Sequence, residues 1–151
     1  YTPTMHDHNN FIDNLEFGNK AERRTAKLLH ATYNLLTISF NNDHRYDILM
    51  HSPRLNKRIT FEVKDDTRTK ETGNIVVEHE SWGKPSGITT TEADYWVFSH
   101  HSTYHIIETP ALKSLISTNS HFDNRQMQHT DYFFTVPVIA RASVATLEAT
   151  I

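Results

Sequence analysis

The hydrophobic period of this chain changes several times, and each change predicts an element. From Asn19 to Asn34 the spacing is helical. Ala21, Thr25, Leu28, Thr32 and Leu35, with Leu29 and Leu36 beside them, fall along one face of a 3.6-residue repeat. Period two takes over at Tyr46: Tyr46, Ile48 and Met50 alternate with Asp47, Leu49 and His51, and Ile59, Phe61 and Val63 alternate with Thr60, Glu62 and Lys64. Between the two runs lies the turn-like Pro53-Arg54-Leu55-Asn56, so the pattern predicts a β-hairpin with arms Tyr46–His51 and Arg58–Lys64. Leu36–Phe40 reads as a short extended segment before it, and Asn74–Glu80, Asp94–Ser99 and Tyr104–Glu108 read as strands after it. Thr89 with Glu92 three residues on matches a capping box and predicts a short helix from about Thr90. Thr109-Pro110 is an N-cap followed by proline at N1, opening a helix through about Ser117. A loose arm or a partial first turn is expected over Tyr1–Asn10, a polar loop over Asn119–Thr130, an extended piece over Phe133–Ile139 and a terminal helix over Ala142–Ala149. The expectation is one α/β domain over residues 1–151, with its core at about 18–118. Its centre should be a mixed sheet of about five strands flanked by helices.

The hairpin carries the chemistry. If it is symmetric about Arg54 and Leu55, Asp47 lies opposite Glu62. Alternation then puts Thr60, Glu62 and Lys64 on the face of Asp47, and Ile59, Phe61 and Val63 on the face of Tyr46, Ile48 and Met50. One face is a core and the other a site. Two carboxylates directly opposed on a sheet repel unless a proton or a cation intervenes, and hard oxygen donors suit Mg²⁺. Glu22 stands at the edge of the first helix's apolar stripe, in line with Ala26, Leu29 and Tyr33, from where an acid can lean toward Asp47. Lys20, Arg23, Arg24 and Lys27 make much of the rest of that helix basic and are the candidate nucleic-acid contacts there, a solvated helix face being the alternative. Lys84 and Ser86, just ahead of the expected helix at Thr90, are candidate phosphate ligands beside its N-terminal amides. Glu78 and Glu80 read as a wet strand face, with additional acid near the site as the alternative.

Composition narrows the chemistry further. The absence of cysteine excludes disulfides, thiolate zinc sites and a cysteine nucleophile. Eleven histidines invite a zinc site, but no HExxH spacing occurs and the residues read as scattered polar positions. A net charge of −3 means that any polyanion must be held by local basic patches rather than by the field of the whole molecule. No apolar run approaches a membrane span and no secretory pattern opens the chain, so an intracellular protein with no membrane partner is expected.

A helix bearing Glu22, a strand bearing Asp47 in Arg45-Tyr46-Asp47, a strand bearing Glu62-Val63-Lys64, then strand, helix and strand: this order resembles the PD-(D/E)XK nuclease superfamily. That superfamily includes restriction endonucleases and Holliday-junction resolvases. Tyr46 stands where the family usually has proline. The strings Thr72-Gly73-Asn74, Gly83-Lys84-Pro85-Ser86-Gly87-Ile88 and Ala93-Asp94-Tyr95-Trp96 also look like a phage-encoded group of these nucleases, which implies a bacterial host. The resemblance spans roughly Gly18 to Glu108 and implies a restriction-endonuclease-like core. It implies Asp47 and Glu62 as ligands of Mg²⁺, replaceable by Mn²⁺, with the Val63 carbonyl as a further ligand and Glu22 on the metal or a water bound to it. Lys64 would orient the attacking water or neutralise charge on the phosphate. The activity so implied is metal-dependent DNA endonuclease action, with branched DNA such as a Holliday junction as the most specific substrate and a homodimer as its corollary. A single-strand or end-processing nuclease has the same signature. A non-cleaving nucleic-acid-binding module of the same fold is the alternative, and a small adaptor with incidental charges the third reading.

Overall fold

A computed structural model gives the fold of residues 4–65, 69–100, 103–118, 122–126 and 129–143. Two helices come first, α1 (Met5–Asn14) and α2 (Lys20–Tyr33), then strands β1 (Leu36–Phe40), β2 (Ile48–Ser52) and β3 (Lys57–Asp65). A short helix α3 (Thr69–Thr72) leads into β4 (Asn74–Ser81) and β5 (Lys84–Pro85), followed by a 3₁₀ turn at Gly87–Thr89. The chain ends with β6 (Tyr95–His100), β7 (Thr103–Glu108), α4 (Thr109–Ser117), β8 (Phe122–Gln126), β9 (His129–Thr135) and α5 (Val136–Ala142).

The central sheet has five strands in the order β1-β2-β3-β6-β7, antiparallel except for the parallel β3–β6 pair, which makes it the expected mixed sheet. Ala26 and Leu29 of α2 and Ile12 of α1 pack with Ile48, Met50, Ile59, Phe61, Tyr95 and Val97 on one face. On the other face Trp96, Phe98 and Ile107 pack against Ile75, Val77 and Phe134 of a second sheet, ordered β5-β4-β9-β8, and against Leu112 of α4 and Ile139 of α5. Strand β6 is therefore buried on both faces, and its run Tyr95-Trp96-Val97-Phe98 has no polar alternation. No helix among the described residues is long and apolar enough to cross a membrane.

Several expectations are corrected. The N-terminal arm is a helix from Met5: Thr4 and Asp7 form a reciprocal capping box, and Ile12 anchors α1 in the core. The buried face of α2 is Thr25, Ala26, Leu29 and His30, one position round from the stripe through Leu28 and Thr32. The strand at Asn74 leaves the central sheet and pairs with β9, and part of the expected loop before Thr130 is its neighbour β8. The extended piece at Phe133 stops at Thr135, where Pro137 opens α5 instead. Most of the helix expected over Ala142–Ala149 lies outside the described residues.

Arg23, one of the basic residues set aside for nucleic acid, is engaged by the fold. Its guanidinium donates to the carbonyls of Gly18 at 2.8 Å, Leu15 at 2.9 Å, Phe17 at 2.5 Å and Ile12, and lies over the Phe40 ring. It closes the link between α1 and α2. Arg23→Ala should cost about 2–4 kcal/mol by stranding charge-assisted acceptors, read as a fall of roughly 5–15 °C in Tm. Arg23→Lys should recover little, since a single ammonium cannot span four carbonyls. A Tm unchanged in Arg23→Ala would contradict this role.

Candidate active site

The hairpin register is the one the alternation predicts, with Ile48 opposite Phe61, Leu49 opposite Thr60 and Met50 opposite Ile59. The ladder breaks just before Ile48. The Asp47 amide donates to the Phe61 carbonyl at 2.9 Å, one residue off the register, and the Asp47 carbonyl accepts from Asn41 N–H at 2.8 Å. Tyr46 consequently packs against the opposite core cluster from Ile48 and Met50, where strict alternation would have kept it with them. The bend aims Asp47 across the edge of β3. There Oδ2 accepts from Val63 N–H at 2.7 Å, and the carboxyl shares a hydrogen bond with the Glu62 carboxyl. In an extended strand the N–H and C=O of one residue leave by the same edge, so the Val63 carbonyl is on the Asp47 side as well.

Glu62 and Lys64 point to the other layer, beside Trp96 and Phe98 of the parallel neighbour. The Lys64 ammonium lies 5.5 Å from the Trp96 ring centroid, and its charge acts on both acids. Burial, then the charge of Asp47, pushes Glu62 up to about 8, with Lys64 pulling the other way. Burial also raises Asp47, against the Val63 N–H, the Glu62 hydrogen bond and Lys64. Burial and mutual repulsion thus favour a proton shared between the two carboxyls over full ionisation of both.

Such a pair takes a hard divalent cation in place of its proton. The donors present are two carboxylates and a strand-edge carbonyl. Among the described residues no group of three or more His, Asp or Glu side chains is arranged to hold a metal. The set fits Mg²⁺, which is commonly bound by one or two carboxylates and keeps its other positions for water and substrate phosphate. Glu22 stands near this pair without joining it. Its two oxygens accept from Asn19 N–H and Asn19 Nδ2, both at 3.0 Å, closing a capping box on α2. Its charge still bears on Asp47 and Glu62, and burial raises its own pKa. The spacing Asn19-x-x-Glu22 is a capping signal that the sequence reading passed over.

Over the face of Glu62 and Lys64 lies a cleft of about 390 Å³. Glu62, Lys64 and His44 form one wall; Glu78, Ser86, Gly87 and Thr90 form the other. Gly87 has φ +51°, and a Cβ there would collide with the Glu78 carbonyl oxygen, so the second wall needs glycine at this point. The expected helix at Thr90 does not form. Thr89 Oγ1 donates to the His79 carbonyl, and the amides of Thr89, Thr90 and Thr91 donate to the Ser86 and Gly87 carbonyls. Those amides have no capacity left for a phosphate. The Ser86 hydroxyl does: it is buried and has no hydrogen-bond partner. Lys84 is exposed on β5. On α2, Lys20 is exposed, Arg24 pairs with Asp65 at 3.4 Å and Lys27 with Asp13 at 3.1 Å.

No protein-family model matches the chain, and no curated protein matches its sequence. Among solved structures it is similar to a Holliday junction resolvase from the archaeal hyperthermophile Archaeoglobus fulgidus. That likeness has a TM-score of 0.46 and 10% identity, over 85% of this chain and 95% of the other.

Proposed function

We propose that this protein is a divalent-cation-dependent deoxyribonuclease acting on internal phosphodiester bonds. The observation that supports the reading most is the Asp47–Glu62 pair, two half-buried acids in contact, with Glu62 and Lys64 lining a cleft. A phosphodiester is anionic and resists attack by hydroxide, so its hydrolysis needs concentrated positive charge and an oriented water. Asp47, Glu62 and the Val63 carbonyl would hold Mg²⁺ or Mn²⁺. When bound, the metal supplies Lewis acidity toward the phosphate and a lower pKa for a water. Lys64 places a fixed ammonium against the phosphate on the Glu62 face, where charge builds up during attack. Glu22, already oriented by Asn19, lends negative charge to the pair and favours cation over proton.

The test is nicking of supercoiled DNA by the wild type in Mg²⁺ or Mn²⁺, with EDTA and Lys64→Ala as controls. Cleavage that needs the cation and the lysine supports the reading. Binding without cleavage of any DNA form points instead to a module that keeps the fold and does not cut. Action on branched DNA would require paired cuts and hence a two-fold dimer, which sedimentation of the chain with and without a four-way junction would reveal.

A further inference from the structure

The turn between β4 and β5 holds a residue that the fold does not explain. Ser81 pairs with Lys84, so Trp82 and Gly83 form a two-residue hairpin loop. Their φ angles are +55° and +75°, the signature of a type I′ turn. That turn selects Asn-Gly or Asp-Gly, because a bulky side chain at positive φ is strained. Trp82 is nevertheless there, and it is 70% exposed, the most exposed of the large hydrophobic residues described. Its indole makes no hydrogen bond or ring contact among the described residues.

The other non-glycine residues at positive φ have local reasons. Asn34 caps α2, and Asn56 sits in the hairpin loop after β2, both of the type that tolerates this conformation. Phe17 delivers its carbonyl to Arg23. Trp82 has no such role, and strain kept at an exposed aromatic directs attention to what the ring binds.

Its place in the chain suggests the answer. Trp82 and Ser86 are four positions apart, roughly 13 Å of extended backbone at most. Lys84 is exposed between them. Ser86 brings a buried, unpartnered hydroxyl to the cleft that holds Glu62 and Lys64. The cleft of about 390 Å³ has room for about one nucleotide, and an exposed ring stacks only on a base released from its duplex neighbours. We infer that the β4–β5 hairpin guides an unpaired DNA strand: Trp82 stacks on a base, Lys84 faces the backbone and Ser86 donates to a phosphate at the cleft. This occupant rests on the nuclease reading, and it narrows the substrate to single-stranded or locally unpaired DNA, including the open strands of a branch or frayed end. Aromatic stacking of this kind is indifferent to sequence, because every base has a π-face.

The test is anisotropy of a short fluorescein-labelled oligo-dT strand, with a blunt duplex of equal length beside it, both in EDTA so that nothing is cut. Trp82→Asn gives the turn its preferred residue and should leave Tm equal or higher, yet weaken strand binding by about 5–100-fold. Trp82→Phe should keep most of the affinity. The strand should also quench tryptophan emission in the wild type and not in Trp82→Phe, whose remaining Trp96 is buried. Strand binding by Trp82→Asn equal to wild type would overturn the inference. So would a lower Tm with matching losses for strand and duplex, or no affinity of the wild type for the strand. A wild type that binds the strand through Trp82 but cuts nothing in Mg²⁺ or Mn²⁺ overturns hydrolysis and upholds the guide. Cleavage with Trp82→Asn binding unimpaired does the reverse.

Discussion

Glu62→Gln is expected to raise the melting temperature at pH 8.5 and, in the same protein, to abolish stabilisation by Mg²⁺ and lower cleavage at least about 100-fold. Opposite signs follow from one cause. In the unfolded chain Glu62 loses its proton near its ordinary value of 4.5, whereas burial and Asp47 hold the proton in the fold up to about 8. Between those values the folded state carries the extra proton, so stability falls as pH rises and is lowest once the pair is fully ionised. Glutamine imitates the protonated acid, keeps a donor for Asp47 and cannot ionise. Its Tm should therefore be flatter from pH 5 to 8.5 and exceed the wild type's by several degrees at the top of that range. A cation that replaces the proton relieves the same repulsion, so Mg²⁺ or Mn²⁺ should raise the wild-type Tm most at alkaline pH. Thermal denaturation of both proteins across pH, with and without Mg²⁺, reads all of this. A wild-type Tm that does not fall through the window, or equal metal stabilisation of Glu62→Gln, would remove the acid pair from the mechanism. Cleavage should likewise rise with pH, because the ligand form of the pair is the deprotonated one.

Lys64→Ala should lower cleavage by about 10²–10³-fold, the usual cost of losing one fixed charge that stabilises a developing anion. Lys64 has two ways to act. Its charge favours ionisation of Asp47 and Glu62 against their burial, and it faces whatever enters the cleft. Metal concentration separates them. If the lysine served only to keep the acids ready for the cation, saturating Mn²⁺ would restore the rate. The cleft-facing position predicts that it does not: the metal midpoint shifts upward, and the rate at saturation stays low. Full recovery at high Mn²⁺ would confine Lys64 to a positioning role.

The local signals were read well where one element contained its own explanation. The hairpin register followed from alternation and the intervening turn. A helix does open at Thr109, but one position earlier than the expected cap: Glu108 is the N-cap, and the Thr109 hydroxyl donates to the Ala93 carbonyl instead of capping. Thr4 to Asp7 and Asn19 to Glu22 were equally local capping signals, overlooked because the surrounding residues are polar. Thr89 and Glu92 carry the same signature, yet no cap forms, because the Glu92 amide that the cap would bind donates to the Arg45 carbonyl at 2.8 Å. The histidines show the opposite limit. His8 stacks on His30, and burial lowers His8 to about 4, while His100 and His105 meet at 3.1 Å between the paired strands β6 and β7. No spacing in the chain announces either pair.

Alone, the sequence determined the β2–β3 register and the basic and acidic inventory, since the register depends on residues close together in the chain and on a side-chain period of 2. Tertiary structure decided the rest: the bend that turns Asp47 toward Val63, the burial that makes Glu62 retain its proton, and the departure of β4 to pair with β9, which raises the second wall of the cleft. Periodicity states which face of a strand is apolar, but not which strand will satisfy its edge. A carboxyl's pKa depends on water excluded by residues distant in the chain, and only folding brings them there.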